Sequence, residues 1–582
     1  MIRRIGLTLA AALAACATSA GMAATITVNS VADAAADDGQ CTLREAIVAA
    51  TTNVASGGSP GECVAGEPVP IVDTIQFAIP GSGVHTIQPV DTMPPVLEAV
   101  VIDGYTQPGS SPNTLAIGDN AVLQIEIDGS LMNVGADMLH MDSGGSTVRG
   151  LVFNRVQGAI IFVGFSSFSS PDNVIEGNFF GTDPSGTSYL AFAYTAVRAD
   201  GANNRIGGTT PAARNVIAAT GGSTTGTIIL DGDGSRVQGN YIGVDATGNA
   251  PLQPDIGATN GIEIGLAGAA TNMLIGGDVA GAGNVVLMNN VGINLHPNGS
   301  ANVTMQGNLI NTNAAGSALL GYTQFGINAQ DTVPGVIIGG STPGAGNTIT
   351  GAVAYAINIG AGASAVVVQG NRVGTDITGT RALPNPGNGI ALTTNGGGDS
   401  IIGGTGAGEA NTIANNCGRG IFVGSGTQWP MLGNSIHSNG GMGISFNGSS
   451  PTPNDLGDGD TGPNNLQNYP VITSTAFAGG NVTLSGTLNS TAATTYRIEF
   501  FANTTCDATG YGEGETFIGT TDVTTDADGN ASFGPLTFPA ADNTDITATA
   551  TDPDGNTSEF SQCAGPHDRL FASAFEFSCS GG

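Results

Sequence analysis

The composition of this 582-residue chain excludes several common classes of protein. All 14 of its basic residues are arginines and 92 residues are glycine, which excludes a many-helix enzyme because helices tolerate glycine poorly and draw on lysine. A net charge of −32 with so few bases excludes a nucleic-acid partner, since phosphate binding needs clustered cations. The hydrophobic share of 40% still provides a core, so repetitive β-structure is favoured.

Residues 1–24 have the layout of an export signal, in which two arginines precede a short apolar run and then small residues. Cleavage after Ala24 predicts a secreted, extracellular protein. The alternative is an outer-membrane lipoprotein anchored at Cys16, because Leu13-Ala14-Ala15-Cys16 resembles a lipobox. No transmembrane span is predicted, since no other segment reaches the roughly 20 apolar residues that one requires.

Two repeated segments, typified by VQGNYIGVDATG and IIGGSTPGAGNTI, alternate along the chain and indicate a solenoid. Between them, short alternating strands begin at Gly261, Gly292, Gly326, Ala356, Gly389, Gly420 and Gly443. These positions are 30 to 34 residues apart except for a final interval of 23, which suits a near-minimal turn of a right-handed parallel β-helix. The longer coils therefore carry insertions, and the two repeat types predict loops at two different corners.

Each repeat has an asparagine at an equivalent position. The series is Asn178, Asn215, Asn240, Asn284, Asn308, Asn347, Asn371, Asn411 and Asn434. Asparagine tolerates left-handed backbone geometry at a tight corner, and stacked amides can form hydrogen bonds from coil to coil. The series therefore predicts a structural asparagine ladder rather than a catalytic site.

The predicted fold class is all-β: a right-handed parallel β-helix of about a dozen or more coils, with an N-terminal helical cap and a C-terminal immunoglobulin-like β-sandwich. Thr42 and Glu45 predict a capping box at the start of the cap helix. Alternating strands separated by DADGN and DPDGN turns predict the sandwich. The predicted segments are 25–105 for the cap and first coils, 106–450 for the β-helix, 451–468 for an acidic linker, 469–565 for the sandwich and 566–582 for a tail.

The cap segment reads CTLREAI from Cys41 to Ile47, and it resembles the bacterial CSLREA-domain family, with Thr42 in place of serine. The segments DTIQFAIPG and VIDGYTQPG and the repeats extend this resemblance over nearly all of the mature chain. The resemblance implies an exported right-handed parallel β-helix, similar to polymorphic outer-membrane proteins, used for surface display, adhesion or carbohydrate contact. It implies no catalytic residues, because that family has no agreed catalytic set.

Six cysteines remain when Cys16 is set aside. In an oxidising compartment, proximity within one segment predicts two disulfides and leaves two cysteines unassigned. The predicted pairs are Cys41 with Cys63 and Cys506 with Cys563, and the unassigned residues are Cys417 and Cys579.

The acidic linker contains a candidate calcium site. Asp455, Asp458 and Asp460 offer carboxylate oxygens at short spacing, as a calcium loop does. A solvated acidic turn is the alternative, because the twelve-residue EF-hand pattern is absent. The predicted function requires no cofactor, and calcium is the one ion for which the sequence offers a candidate site.

Two pairs of residues are candidates for catalysis. Glu263 and His296 lie one coil apart on equivalent strands, and Arg372 and Asp376 lie near a GTD loop. Either pair would supply the two titratable groups that acid–base catalysis needs. The simpler interpretation is a solvated glutamate and a surface histidine, and the aspartates of the GTD loops are better explained as turn-forming residues.

We therefore expect an exported, non-catalytic rod that presents loops for adhesion or for binding an extracellular glycan or a cell-surface ligand. The alternative is a polysaccharide lyase or glycoside hydrolase that acts on an extracellular polysaccharide and uses calcium. A purely structural role in envelope assembly is the third hypothesis.

Overall fold

The structure is a computed structural model that describes residues 22–164, 170–190, 194–219, 226–252, 259–329, 333–360, 362–395, 399–446, 448 and 450–565. The predicted export signal up to residue 21, Cys16, Cys579 and the predicted tail lie outside these ranges. Within them the predicted fold class is confirmed: the chain winds into a right-handed parallel β-helix that is closed by an α-helix at one end and by two antiparallel sheets at the other.

Three parallel sheets, here called A, B and C, form the β-helix. Sheet A has 13 strands: Thr25–Val28, Asp73–Phe77, Val100–Asp103, Thr147–Arg149, Val174–Glu176, Arg205–Gly207, Arg236–Gln238, Leu274–Gly276, Thr304–Gln306, Ile337–Gly339, Val367–Gln369, Ile401–Gly403 and Met431–Leu432. Sheet B has 12: His85–Ile87, Ile125–Asp128, Val152–Asn154, Phe179–Phe180, Val216–Ile217, Tyr241–Ile242, Val285–Val286, Leu309–Ile310, Thr348–Ile349, Arg372–Val373, Thr412–Ala414 and Ser435–His437. Sheet C has 11: Leu139–Met141, Ile161–Val163, Val197–Ala199, Gly226–Leu230, Asn260–Ile264, Val291–Leu295, Thr323–Ala329, Ala352–Ile359, Asn388–Thr393, Ile421–Ser425 and Ile444–Phe446.

The core is a set of aliphatic columns inside the three sheets. In sheet C, the parallel register stacks Ile262 on Ile293 and Ile293 on Ile327, and all three side chains are fully buried. The alternation of side chains along each strand sends the intervening residues outward. The Gly-Ile-type pairs of the sequence therefore fix both the core column and the outer face of sheet C.

The asparagine ladder is confirmed at the corner between sheets A and B. From Asn178 to Asn434, each side-chain Nδ2 donates to the Oδ1 of the next member at 2.9 to 3.4 Å. Each amide also donates to a backbone carbonyl one coil back, as Asn347 does to Met305 at 2.8 Å. These bonds satisfy polar groups that are buried inside the rod.

The two loop families project from different corners, as predicted. One family links sheet A to sheet B, and the GTD family links sheet B to sheet C. In the GTD loops the Oδ1 of Asp183 accepts backbone N–H groups of Thr187 and Ser188 at 3.1 and 3.0 Å. Asn313 accepts from Ser317 and Ala318 in the same way, which confirms these residues as turn formers.

The α-helix Leu43–Thr52 covers the first coil and has the predicted capping box. Thr42 Oγ1 accepts the N–H of Glu45 at 3.2 Å, and Glu45 Oε2 accepts the N–H of Thr42 at 3.0 Å. Ala46 and Ile47 are buried at the centre of the helix. The predicted disulfide is present and joins Cys41, just before the helix, to Cys63, beyond its end.

The C-terminal domain consists of two three-stranded antiparallel sheets, as an immunoglobulin-like sandwich predicts. One sheet contains Val471–Ala478, Asn481–Asn489 and Asn530–Pro539, and the other contains Thr495–Asn503, Thr516–Thr524 and Asp545–Thr551. The predicted disulfide between Cys506 and Cys563 is present, and Cys417 in the β-helix is disulfide-bonded as well. Phe501 and Phe560 extend the β-helix core into this domain.

The remaining ordered elements are short. They are the two-stranded parallel sheet of Gly232–Asp233 and Ala270–Thr271 and the 3₁₀-helices Gly104–Thr106, Gly129–Leu131, Pro211–Ala213 and Pro463–Leu466. In the described part of the chain, no helix combines the length and the apolar character of a membrane span.

Candidate functional site

The outer face of sheet C carries a continuous row of outward side chains, here called the C row. Its members pair in register on consecutive coils, about 4.8 Å apart. They are His140, Phe162, Arg198, Ile229, Glu263, Asn294, Asn328, Asn358, Ala391, Phe422 and Ser445. Aromatic, basic, acidic and amide groups thus succeed one another along the rod. Five members are buried, namely Ile229, Glu263, Asn328, Ala391 and Ser445, and the other six are half-buried.

The structure brings the predicted pair Glu263 and His296 together. His296 Nε2 is hydrogen-bonded to Glu263 Oε2, and the side chain of His296 is 25% exposed, whereas that of Glu263 is 1% exposed. Asn294 Nδ2 donates to the same carboxylate oxygen at 3.0 Å, and Asn260 Nδ2 donates to the other. The interpretation of Glu263 as a solvated residue is wrong, because these donors replace water around a buried carboxylate.

Local sequence explains how this contact forms. In GIEIG the two isoleucines of the strand enter the core, so Glu263 between them points outward. Glu263 pairs in register with Asn294 of the next coil, and His296 lies two residues further along the same strand direction. The side chain of His296 therefore reaches back across one coil to the carboxylate.

A run of amides extends from this pair along the C row. Asn358 Nδ2 donates to Asn328 Oδ1 at 2.8 Å, and Asn328 Nδ2 donates to Asn294 Oδ1 at 2.9 Å. Because Asn294 donates in turn to Glu263, every bond in the run points towards the carboxylate. We did not predict this run, although GIN, GIN and AIN recur at 292–294, 326–328 and 356–358 and could have indicated it.

Aromatic rings lie in the strands that carry the amide run and in the C row. Phe325 and Tyr355 precede Asn328 and Asn358 by three residues on adjacent coils, with ring centroids 6.0 Å apart and both rings half-buried. Towards one end of the row, the guanidinium of Arg198 lies over the ring of Phe162, 4.8 Å from its centroid. Towards the other end, Arg419 lies 5.0 Å from the ring of Phe422. Sheet C thus carries several aromatic groups spaced along the rod.

Two further carboxylates lie beside Arg198. Its Nε donates to Asp200 Oδ1 at 2.9 Å, and its Nη2 lies 3.8 Å from Asp231 Oδ2. Burial raises the pKa of Asp231, although the N–H groups of Gly268 and Ala267 donate to its other oxygen. Asp231 therefore holds the following loop against sheet C and neighbours the C row.

The second predicted pair, Arg372 and Asp376, does not form an ion pair in the described chain. Asp376 Oδ1 accepts the N–H groups of Thr378 and Arg381 at 3.1 and 3.3 Å, so it closes its GTD loop. Burial alone would raise the pKa of Asp376, but the hydrogen bonds from Thr378 and the backbone hold that pKa below its usual value. The arrangement is that of a turn and provides no acid–base couple.

The three linker aspartates lie together, with one carboxylate oxygen of each within 4.8 Å of the others, and they form the one such acidic group in the described ranges. Asp458 Oδ1 accepts the N–H of Asn468 at 3.1 Å, and burial raises the pKa of Asp458 to about 6. Burial also raises the pKa of Asp460. One oxygen each of Asp455 and Asp460 is buried without a hydrogen-bond donor, so the donor set suits a hard cation such as calcium.

No protein-family model and no curated protein matches the chain. Among solved structures, the tailspike protein of Escherichia coli bacteriophage HK620 in complex with pentasaccharide is similar, at 12% identity and a TM-score of 0.20, over 83% of this chain and 85% of that one. A point mutant of the same tailspike with pentasaccharide gives 11% identity and a TM-score of 0.22, over 82% and 74% of the two chains. At these low values the similarity says nothing about function. The fold is assigned from the three parallel sheets of this chain.

Proposed function

We propose that the protein is an exported member of the CSLREA-domain family that binds a glycan along the outer face of sheet C. The observation that supports this proposal is the recurrence of amides and aromatic rings on consecutive coils of sheet C, above all the run Asn294–Asn328–Asn358 and the ring pair Phe325–Tyr355 in the same strands. Ring faces pack against the apolar faces of sugars, and amides exchange hydrogen bonds with hydroxyl groups. A linear array of such groups suits a linear polymer.

Rigidity favours this function. Nine of the eleven strands of sheet C have a parallel partner strand on both sides, and the core beneath them is fully buried. A site on such strands is preorganised, so little conformational entropy is lost when a ligand binds. The net charge of −32 disfavours strongly acidic polymers, so we propose a neutral glycan.

Binding to immobilised polysaccharides tests the proposal. We expect the purified protein to be retained by at least one neutral polysaccharide in a panel, and we expect Phe325→Ala and Tyr355→Ala to weaken retention at least tenfold. Val367→Ala is the matched control, because Val367 is half-buried and faces outward on sheet A. Equal loss in the control, or no retention on any polymer, contradicts the proposal.

A second candidate function, glycoside hydrolysis, is favoured by the Glu263–His296 contact. Glu263 Oε2 is hydrogen-bonded to His296 Nε2, so Nδ1 is the ring nitrogen that remains for proton transfer. Such a group can take a proton from the water that adds to a glycosidic carbon, while the C–O bond breaks and the departing sugar oxygen takes a proton from solvent. Release of reducing ends that His296→Ala abolishes supports this activity, whereas retention of a polysaccharide without new ends contradicts it and leaves binding intact.

A further inference from the structure

A second, shorter asparagine ladder at the corner between sheets B and C ends on a carboxylate of the C-terminal domain. Asn385 Nδ2 donates to Asn416 Oδ1 at 2.8 Å, and Asn416 Nδ2 donates to Asn439 Oδ1 at 2.7 Å. Asn439 Nδ2 then donates to Glu513 Oε1, also at 2.7 Å. Glu513 thus occupies the position that the next asparagine would take if the β-helix continued.

Two other glutamates of the same domain accept hydrogen bonds from the backbone of the last coil. The N–H of Gly433, just after the last strand of sheet A, donates to Glu499 Oε2 at 2.8 Å. The N–H of Phe446, in the last strand of sheet C, donates to Glu559 Oε1 at 2.8 Å. An open coil would leave such donors unpaired, so these carboxylates terminate the rod.

The three carboxylates differ in their charged surroundings. Glu499 is paired with Arg497, whose Nε lies 2.9 Å from Oε1. Glu559 faces the phenol of Tyr469 and accepts a second backbone N–H, from Thr452. Glu513 accepts the backbone N–H of Asn439 at 3.2 Å besides its side-chain amide, the charge of Asp507 raises its pKa, and no arginine pairs with it within the described ranges. It is 6% exposed, so an ionised Glu513 has neither water nor a cation to compensate it.

We propose that Glu513 makes the junction between the β-helix and the C-terminal domain a pH-sensitive seal, which is tight while its carboxyl group is protonated and loosens when that group ionises. In the protonated form the carbonyl oxygen still accepts the Asn439 amide, and no charge is buried. Ionisation places a second negative charge near Asp507 at the end of the amide ladder.

The direction of the pH effect follows from the sign of the shift. Burial, with a smaller contribution from the charge of Asp507, raises the pKa of Glu513 to about 8, although the amide donors of Asn439 act in the opposite direction. The folded state therefore holds this proton more tightly than the unfolded chain, where the pKa is near 4.3. The stabilisation is complete below the unfolded pKa and is lost as the pH rises through about 8.

The chain contains a natural reporter of this junction. Trp429 is its single tryptophan and is fully buried next to the last strand of sheet A. Its backbone N–H donates to Asn464 Oδ1 at 3.1 Å, and its indole N–H donates to the carbonyl of Thr394 at 2.6 Å. Opening of the seal would expose this ring to water, so its fluorescence reports whether the junction is closed.

Urea unfolding of the full chain, followed by Trp429 fluorescence between about pH 6 and pH 9.5, tests the proposal. We expect the wild-type midpoint to fall over this range and the Glu513→Gln midpoint to stay level or fall much less, because the amide imitates the protonated acid. Glu515→Gln, a half-buried glutamate two residues away, should behave like the wild type. An equally steep fall in Glu513→Gln overturns the proposal.

A second variant covers the case in which Glu513→Gln fails to fold. Asp507→Asn removes the negative charge that Glu513 faces, so the carboxyl group ionises at lower pH. The fall in the wild-type midpoint should then shift towards lower pH in this variant. A fall that stays in place or moves to higher pH overturns the proposal.

Discussion

Asn347 Nδ2 donates to Asn371 Oδ1 in the next coil at 2.9 Å, and both side chains are fully buried. The backbone N–H of Asn347 donates to the same oxygen at 3.1 Å. One amide oxygen thus satisfies two donors of the coil before it, which makes the ladder a chain of mutually dependent bonds.

The first prediction concerns this ladder. Asn347→Ala removes an acceptor from Asn308 and leaves a cavity at a buried corner, so we expect the free energy of unfolding to fall by about 1–3 kcal/mol. Urea denaturation measures the change. Asn133→Ala, at an exposed asparagine outside the ladder, is the control and should change stability by less than about 0.5 kcal/mol. Equal effects of the two substitutions would show that the ladder adds no stability.

The GTD loops give a second prediction. Asn313 makes the turn that Asp183, Asp245 and Asp376 make in the other loops, so the amide oxygen can replace the carboxylate. We expect Asp245→Asn to be nearly neutral and Asp245→Ala to lower the free energy of unfolding by about 1 kcal/mol. A loss in Asp245→Asn as large as that in Asp245→Ala, measured by thermal unfolding, would mean that the charge and not the turn geometry is required.

The third prediction concerns calcium binding. We propose that Asp455, Asp458 and Asp460 bind Ca²⁺, and a ligand at 100 times its Kd stabilises the folded state by about 2.7 kcal/mol. Calcium should therefore raise the melting temperature of the full chain, EDTA should reverse the rise, and Asp458→Asn should abolish it. Asp528→Asn, at an exposed turn of the adjoining C-terminal domain, should retain the full response. No response to calcium in the wild type would leave the cluster as a solvated acidic turn.

The fourth prediction concerns the disulfide between Cys506 and Cys563, which closes a segment with a sequence separation of 57 residues. Replacing both cysteines with serine should lower the stability of the C-terminal domain by about 2–4 kcal/mol, because the unfolded chain gains freedom. The bridge between Cys41 and Cys63, with a separation of 22, should contribute less. Calorimetry of the two double variants compares them, and a larger loss at the shorter bridge would contradict this ranking.

The sequence by itself determined the β-helix, its asparagine ladder and its loop corners. Each of these depends on a residue that recurs once per coil: Ile262, Ile293 and Ile327 recur because each coil repeats the same core position, and Asn308 and Asn347 recur because each coil repeats the same corner. When a residue type repeats once per coil, its equivalent positions stack on one another, so their interactions can be predicted without coordinates.

Only the tertiary structure decided the surroundings of residues that occur once. The sequence placed Glu263 and His296 one coil apart, but the burial of Glu263 depends on Asn260 and Asn294, whose side chains meet it only after the coils stack. Glu513 is a strand-free residue 74 positions from Asn439, and nothing repeats to indicate their contact. Contacts between unlike segments follow from how two domains dock, and the free energy that selects that docking is spread over many residues.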